Sequence, residues 1–89
     1  MIYNSKEGAI DLEKLTRLYP AVVVDMQGQT AEMSLEWMDL YADKVKLVHY
    51  VLVFDSTPVG EDERIRTVLT FGTKDALIVE MNEVAKYFD

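Results

Sequence analysis

His49 is the one histidine in the chain, and there is no cysteine. A Ser-His-Asp arrangement would have to use His49, with a nucleophile within hydrogen-bond reach and a third group to orient the ring. Ser5, Ser34 and Ser56 stand in capping or turn contexts, and none is set in a Gly-x-Ser-x-Gly elbow. His49 falls mid-strand between aliphatic Leu47 and Val51 on the same face, the setting of a half-buried structural histidine. One imidazole and no thiolate make a poor transition-metal ligand set.

The carboxylates offer little more. Asp25 and Asp55 fall at or near strand ends, where acid–base residues of a cleft could lie. With sixteen acidic residues in the chain, some such coincidence of position is unavoidable. Glu61-Asp62-Glu63 is the densest acidic run and could gather a hard cation through oxygen ligands. It lacks the Asp-x-Asp-x-Asp-Gly spacing that shapes a calcium loop, and Arg64 and Arg66 stand beside it. Gly8, Gly28, Gly60 and Gly72 are isolated, so no glycine-rich phosphate cradle exists. The expectation is a non-enzymatic protein with no catalytic residue, no metal and no cofactor.

Sixteen acidic against nine basic residues give a net charge of −7. Phosphate-backbone binding needs a basic stripe, so nucleic acid is not an expected partner. The acidic residues are spread along the chain and form no regular row of the kind a DNA mimic presents. Trp37 and the tyrosines at 3, 19, 41, 50 and 87 could stack bases, but a stacking platform comes with a basic groove. The longest nearly uncharged apolar run, Leu47 to Phe54, is far below the roughly 20 residues a membrane span requires. The N-terminal residues carry no signal-type apolar stretch. A cytoplasmic protein without a membrane partner is expected, in one compact domain over residues 1–89.

Positioning these residues falls to a chain with few breaks. Asp11 can cap a helix to Leu18, with Leu12, Leu15, Leu18 and Tyr19 at helical spacing and Pro20 as its stop. Val22-Val23-Val24 marks a strand over 21–26, and Gln27-Gly28 reads as a turn into a second strand at 29–34. Residues 29–37 fit either strand or helix; a helix over 35–43, capped by Ser34, is the compromise. Strands are expected next at 45–54 and 64–71, joined by a turn-rich loop. Leu77, Met81, Val84, Ala85 and Phe88 then form one stripe of a helix at about 74–88, capped by Thr73. Ile2-Tyr3 reads as a further extended segment. Leu12-Glu13 and Leu18-Tyr19 recur as Leu35-Glu36 and Leu40-Tyr41, a match too short to establish a duplication. The pattern predicts an α+β fold, a four-stranded mainly antiparallel sheet with three helices in the order α-β-β-α-β-β-α.

One strand is apolar on both sides. Along 45–54, Val45, Leu47, His49, Val51 and Val53 point one way, and Lys46, Val48, Tyr50, Leu52 and Phe54 the other. Either the chain covers both faces itself, or one face meets another chain. Val48, Tyr50, Leu52 and Phe54 are the expected partner-binding residues, since that face carries two aromatics and a rim lysine. Val45, Val51 and Val53 would then face the helices. The expected function is a small protein-protein interaction or adaptor domain, self-associating as a homo-oligomer through this sheet face; the alternative is a small-molecule-binding regulatory domain.

Overall fold

A computed structural model describes residues 1–88. Ile2–Ser5 (β1) and Gly8–Asp11 (β2) form an antiparallel hairpin. The extended segment at Ile2-Tyr3 is thus one arm of a hairpin. Asp11 does act as a cap, accepting the Glu13 N–H at 3.1 Å, but the element it caps is only a 3-10 turn over Leu12–Lys14.

The stretch from Asp11 to Leu18 is not the expected helix. Arg17–Met26 is one ten-residue strand (β3) that runs straight through Pro20. The leucine spacing that suggests a helix has another cause. Leu12 and Leu15 turn into the core from the 3-10 turn and its exit, while Leu18 belongs to a strand. Val22, Val23 and Val24 carry β3 into the sheet, where β-branched side chains pack well. Proline inside a strand is tolerated where that stretch is an edge, and Pro20 lies on such a stretch.

The remaining elements keep the expected order with trimmed ends. Gln29–Met33 (β4) pairs with β3 across Gln27-Gly28, whose φ values of 55° and 87° are both positive, as a tight two-residue hairpin turn requires. Ser34 then caps Leu35–Tyr41 (α1), accepting the Trp37 N–H at 3.1 Å. Lys46–Asp55 (β5) and Arg66–Phe71 (β6) are strands, and Thr73 caps Lys74–Ala85 (α2). The chain is α+β, with two α-helices rather than three among the described residues and a second, two-stranded sheet.

The larger sheet has the order β4-β3-β5-β6, antiparallel at every pairing. The β3–β5 register shifts between Val23 and Val24, whose partners are His49 and Leu47, so Val48 is skipped and left without a partner. On one face Leu52, Phe54, Leu69 and Phe71 meet Leu77 and Val84 of α2 and Tyr3, Ile10 and Leu12 from the N-terminal segment. Tyr3 stacks on Phe54 with ring centroids 6.0 Å apart, and Tyr87 meets Tyr3 edge-on at 5.3 Å. Hairpin and helix therefore share one side of the sheet.

Candidate interaction site

The structure gives the isolated chemical groups structural work. Asp25 accepts the Gly28 N–H at 3.0 Å and so pins the β3–β4 turn. Asp55 is buried; it accepts the Thr57 N–H at 2.8 Å and faces Arg64 at 3.6 Å. The hydrogen bonds from Thr57 hold its carboxyl below the usual carboxylate range, with the Arg64 charge helping against burial. Thr57 in turn accepts the Ile65 N–H at 2.7 Å, and the Thr16 hydroxyl donates to the Thr57 carbonyl at 2.8 Å. This knot ties both ends of the 56–65 loop to the start of β3. Glu61, Asp62 and Glu63 stay exposed on the loop. Among the described residues, no three His, Cys, Asp or Glu side chains gather as a metal-binding group.

The four expected docking residues do not form an open face. Leu52 and Phe54 are 2% and 1% exposed, sealed beneath α2 and the N-terminal hairpin, and Tyr50 is half-buried against the same core. Val48 alone of the four is open, at the register shift. The two sides of β5 are exchanged relative to expectation: the aromatic side is the helix-covered one. Its larger side chains reach the helix layer and fill it, so aromatic content here marks the core and not an interface.

The opposite side is closed by a different device. Val51, Val53 and Ala21 form a second buried cluster, edged by Tyr19 and Val23. Among the described residues, no helix packs on this cluster. Arg66 on β6 donates to both carboxylate oxygens of Glu32 on β4, at 3.0 and 3.1 Å, and to the Tyr19 hydroxyl at 3.2 Å. These strands are the two edges of the sheet, about 14 Å apart were it flat. Their side chains nevertheless meet, and Tyr19, the third member of this clasp, packs against the valine cluster. Tyr19 also donates to Glu32 at 3.1 Å; partial burial, then Glu32, raises its pKa.

What the fold leaves open lies at one end of β3. β5 pairs with β3 from Arg17 to Asp25, but β4 pairs only with Val22 to Met26. Residues 17–21 therefore have a neighbouring strand on one side only. Beneath this edge is an apolar groove of about 340 Å³, lined by Leu18, Pro20, Leu52, Met81, Val84 and Phe88. On the other side is a more polar hollow of about 450 Å³, lined by Arg17, Tyr19, Glu32, Ser34 and Glu36 among others. Leu18 and Phe88 are 36% and 54% exposed at the groove mouth. Sequence reasoning missed this site because it placed Leu18 and Pro20 in a helix and its stop. Proline within a run that ends in three valines was the available signal for an edge strand.

Comparisons with protein-family models, curated proteins and solved structures find no match.

Proposed function

We propose that the protein is a non-enzymatic interaction domain that holds a protein partner along the open edge of β3 and the groove beside it. The observation that carries this reading is the coincidence of five strand residues unpaired on one side with a groove whose walls are apolar. Unpaired strand backbone is a template for another chain, and exposed apolar side chains beside it supply driving force. The side-chain groups that could do acid–base work, Asp25 and Asp55, are instead engaged in holding a turn and a loop.

Tagged wild-type protein and a Leu18→Glu variant, matched in thermal melting, test the reading in paired capture and sedimentation experiments. Wild type is expected to hold a stoichiometric protein partner that the variant releases. A wild type that sediments as a bare monomer at high concentration and captures nothing overturns the proposal.

A second reading has its own support. The groove volume falls within the roughly 300–1,000 Å³ typical of small-molecule pockets. Under that reading an apolar metabolite raises the melting temperature of wild type and not of Leu18→Glu.

A further inference from the structure

We propose that the outer edge of β6 is a self-pairing surface that fits a second copy of this chain, and that Lys6, at the tip of the N-terminal hairpin, keeps it closed. This surface is distinct from the groove at the start of β3.

The hydrogen-bond register fixes which backbone groups of β6 face outward. β6 ends the larger sheet, with β5 on one side and no strand on the other among the described residues. Just ahead of the ladder, the Ser56 N–H bonds the Ile65 carbonyl at 2.9 Å. Antiparallel pairs alternate between bonded and non-bonded, so Phe54–Thr67, Leu52–Leu69 and Tyr50–Phe71 are the bonded pairs. Arg66, Val68 and Thr70 therefore turn their N–H and C=O groups away from β5.

Lys6 occupies one of these groups. Lys6-Glu7 is the turn between β1 and β2. The Ser5 hydroxyl sets it by donating to the Gly8 carbonyl at 2.7 Å and accepting the Glu7 N–H at 3.2 Å. Tyr3 and Ile10, one on each arm, are buried in the core and hold the hairpin against the sheet. From the tip, the Lys6 ammonium donates to the Thr70 carbonyl and lies 4.0 Å from the centre of the Phe71 ring. A lysine set on an edge strand is a recurring guard against pairing between copies.

The occupant follows from symmetry. Antiparallel pairing of two β6 strands about Val68 sets each Arg66 opposite Thr70 of the other copy. All the outward N–H and C=O groups of residues 66, 68 and 70 then find partners, and one patch serves both copies. The facing side chains are Val68 with Val68 and Arg66 with Thr70, none of like charge. Residues 64–74 contain no proline and no acidic residue, so the net charge of −7 is not concentrated at this edge. In that pairing the Arg66 N–H bonds the same Thr70 carbonyl that Lys6 holds. The two compete for one acceptor.

Sedimentation equilibrium of wild type, Lys6→Ala, Lys6→Arg and Lys14→Ala tests this, each first confirmed as folded by thermal melting. Lys14 is an exposed lysine of the 3-10 turn and controls for the loss of one charge. Lys6→Ala is expected to dimerise roughly tenfold more tightly than wild type, with Lys6→Arg and Lys14→Ala close to wild type. Hydrogen exchange reads the site directly: the Arg66, Val68 and Thr70 amides exchange more slowly in the Lys6→Ala dimer than in wild type. Lys6→Ala dimerising no more tightly than wild type overturns the proposal. Equal tightening by Lys14→Ala also overturns it, since the loss of any lysine would then suffice. A Lys6→Ala dimer that leaves those three amides unprotected overturns it as well, because association would run through another surface.

Discussion

At the scale of single residues, two carboxylates respond to pH in opposite senses. Asp55 has a lowered pKa because Thr57 hydrogen-bonds to it, with Arg64 adding attraction. A lowered folded value means that its contribution is fully present above the unfolded pKa of about 3.9 and is lost as pH falls through the folded value. Glu80 has a raised pKa, first from burial and then from the nearby charge of Glu83, while the Tyr3 hydroxyl donates to it. For Glu80 the contribution is present below the unfolded value and lost as pH rises through the folded one. Burial and Glu83 therefore weigh against the ionised form of Glu80 as pH rises. Asp55→Asn is expected to lower the melting temperature at pH 7 and to flatten its decline below about pH 4, while Glu80→Gln leaves pH 7 stability unchanged or raised. Melting curves from about pH 2.5 to 8 check this. A decline in Asp55→Asn as steep as in wild type at the acid end would show that the Asp55 knot does not titrate with folding.

Among the elements, the two helices hold the fold unequally. α2 sends Leu77 and Val84, at 0% and 2% exposure, into the main core. α1 buries none of its residues, although five of its seven are apolar. Leu77→Ala leaves a hole in a packed site, at a cost of about 2–5 kcal/mol. That is a large part of a small domain's stability and lowers its melting temperature by ~10–30 °C. Leu40→Ser removes a side chain that is 74% exposed and shifts melting by less than about 0.5 kcal/mol. Calorimetry of both variants checks the contrast, and equal losses would mean that α1 is a core element. α2 was legible because its apolar stripe, its Thr73 cap and its packing agree. β5 and the β3–β4 hairpin were legible for similar reasons: local propensity and tertiary pairing point the same way. Residues 11–18 were not, because Leu12, Leu15 and Leu18 match a helical period while belonging to a turn and a strand. The helix layer was misassigned on β5 for a physical reason too. Apolar alternation tells which residues share a face, but not which face the helices choose.

For the whole molecule, the puzzle of the two-sided strand becomes one of how a single-layered sheet seals its bare side. The clasp of Arg66, Tyr19 and Glu32 can act by charge or by cover, and magnitudes separate the two. Arg66 and Glu32 are each about one-third exposed, at 31% and 35%, and pairs of that kind contribute about 0–1 kcal/mol. Val51 and Val53, in the cluster that Tyr19 edges, are 1% and 0% exposed, and each fully buried valine side chain is stabilised by about 1.5–3 kcal/mol relative to water. Even partial uncovering of both exceeds what the ion pair supplies. An arginine stem can cover apolar surface as well as carry charge, and cover is the larger effect expected of Arg66. Arg66→Met, which keeps a long stem, is therefore expected to melt close to wild type, and Glu32→Gln to lose no more than about 1 kcal/mol. Arg66→Ser should lose more than either. Raising the salt to about 1 M, where the screening length is about 3 Å, should leave that ranking unchanged. Were Glu32→Gln as damaging as Arg66→Ser, and wild type weakened by salt to the same level, the clasp would hold by charge. The valines would then need another explanation for their burial. If cover dominates as argued, that face is self-sufficient, and the start of β3 is the stretch of the strand left with a neighbour on one side only.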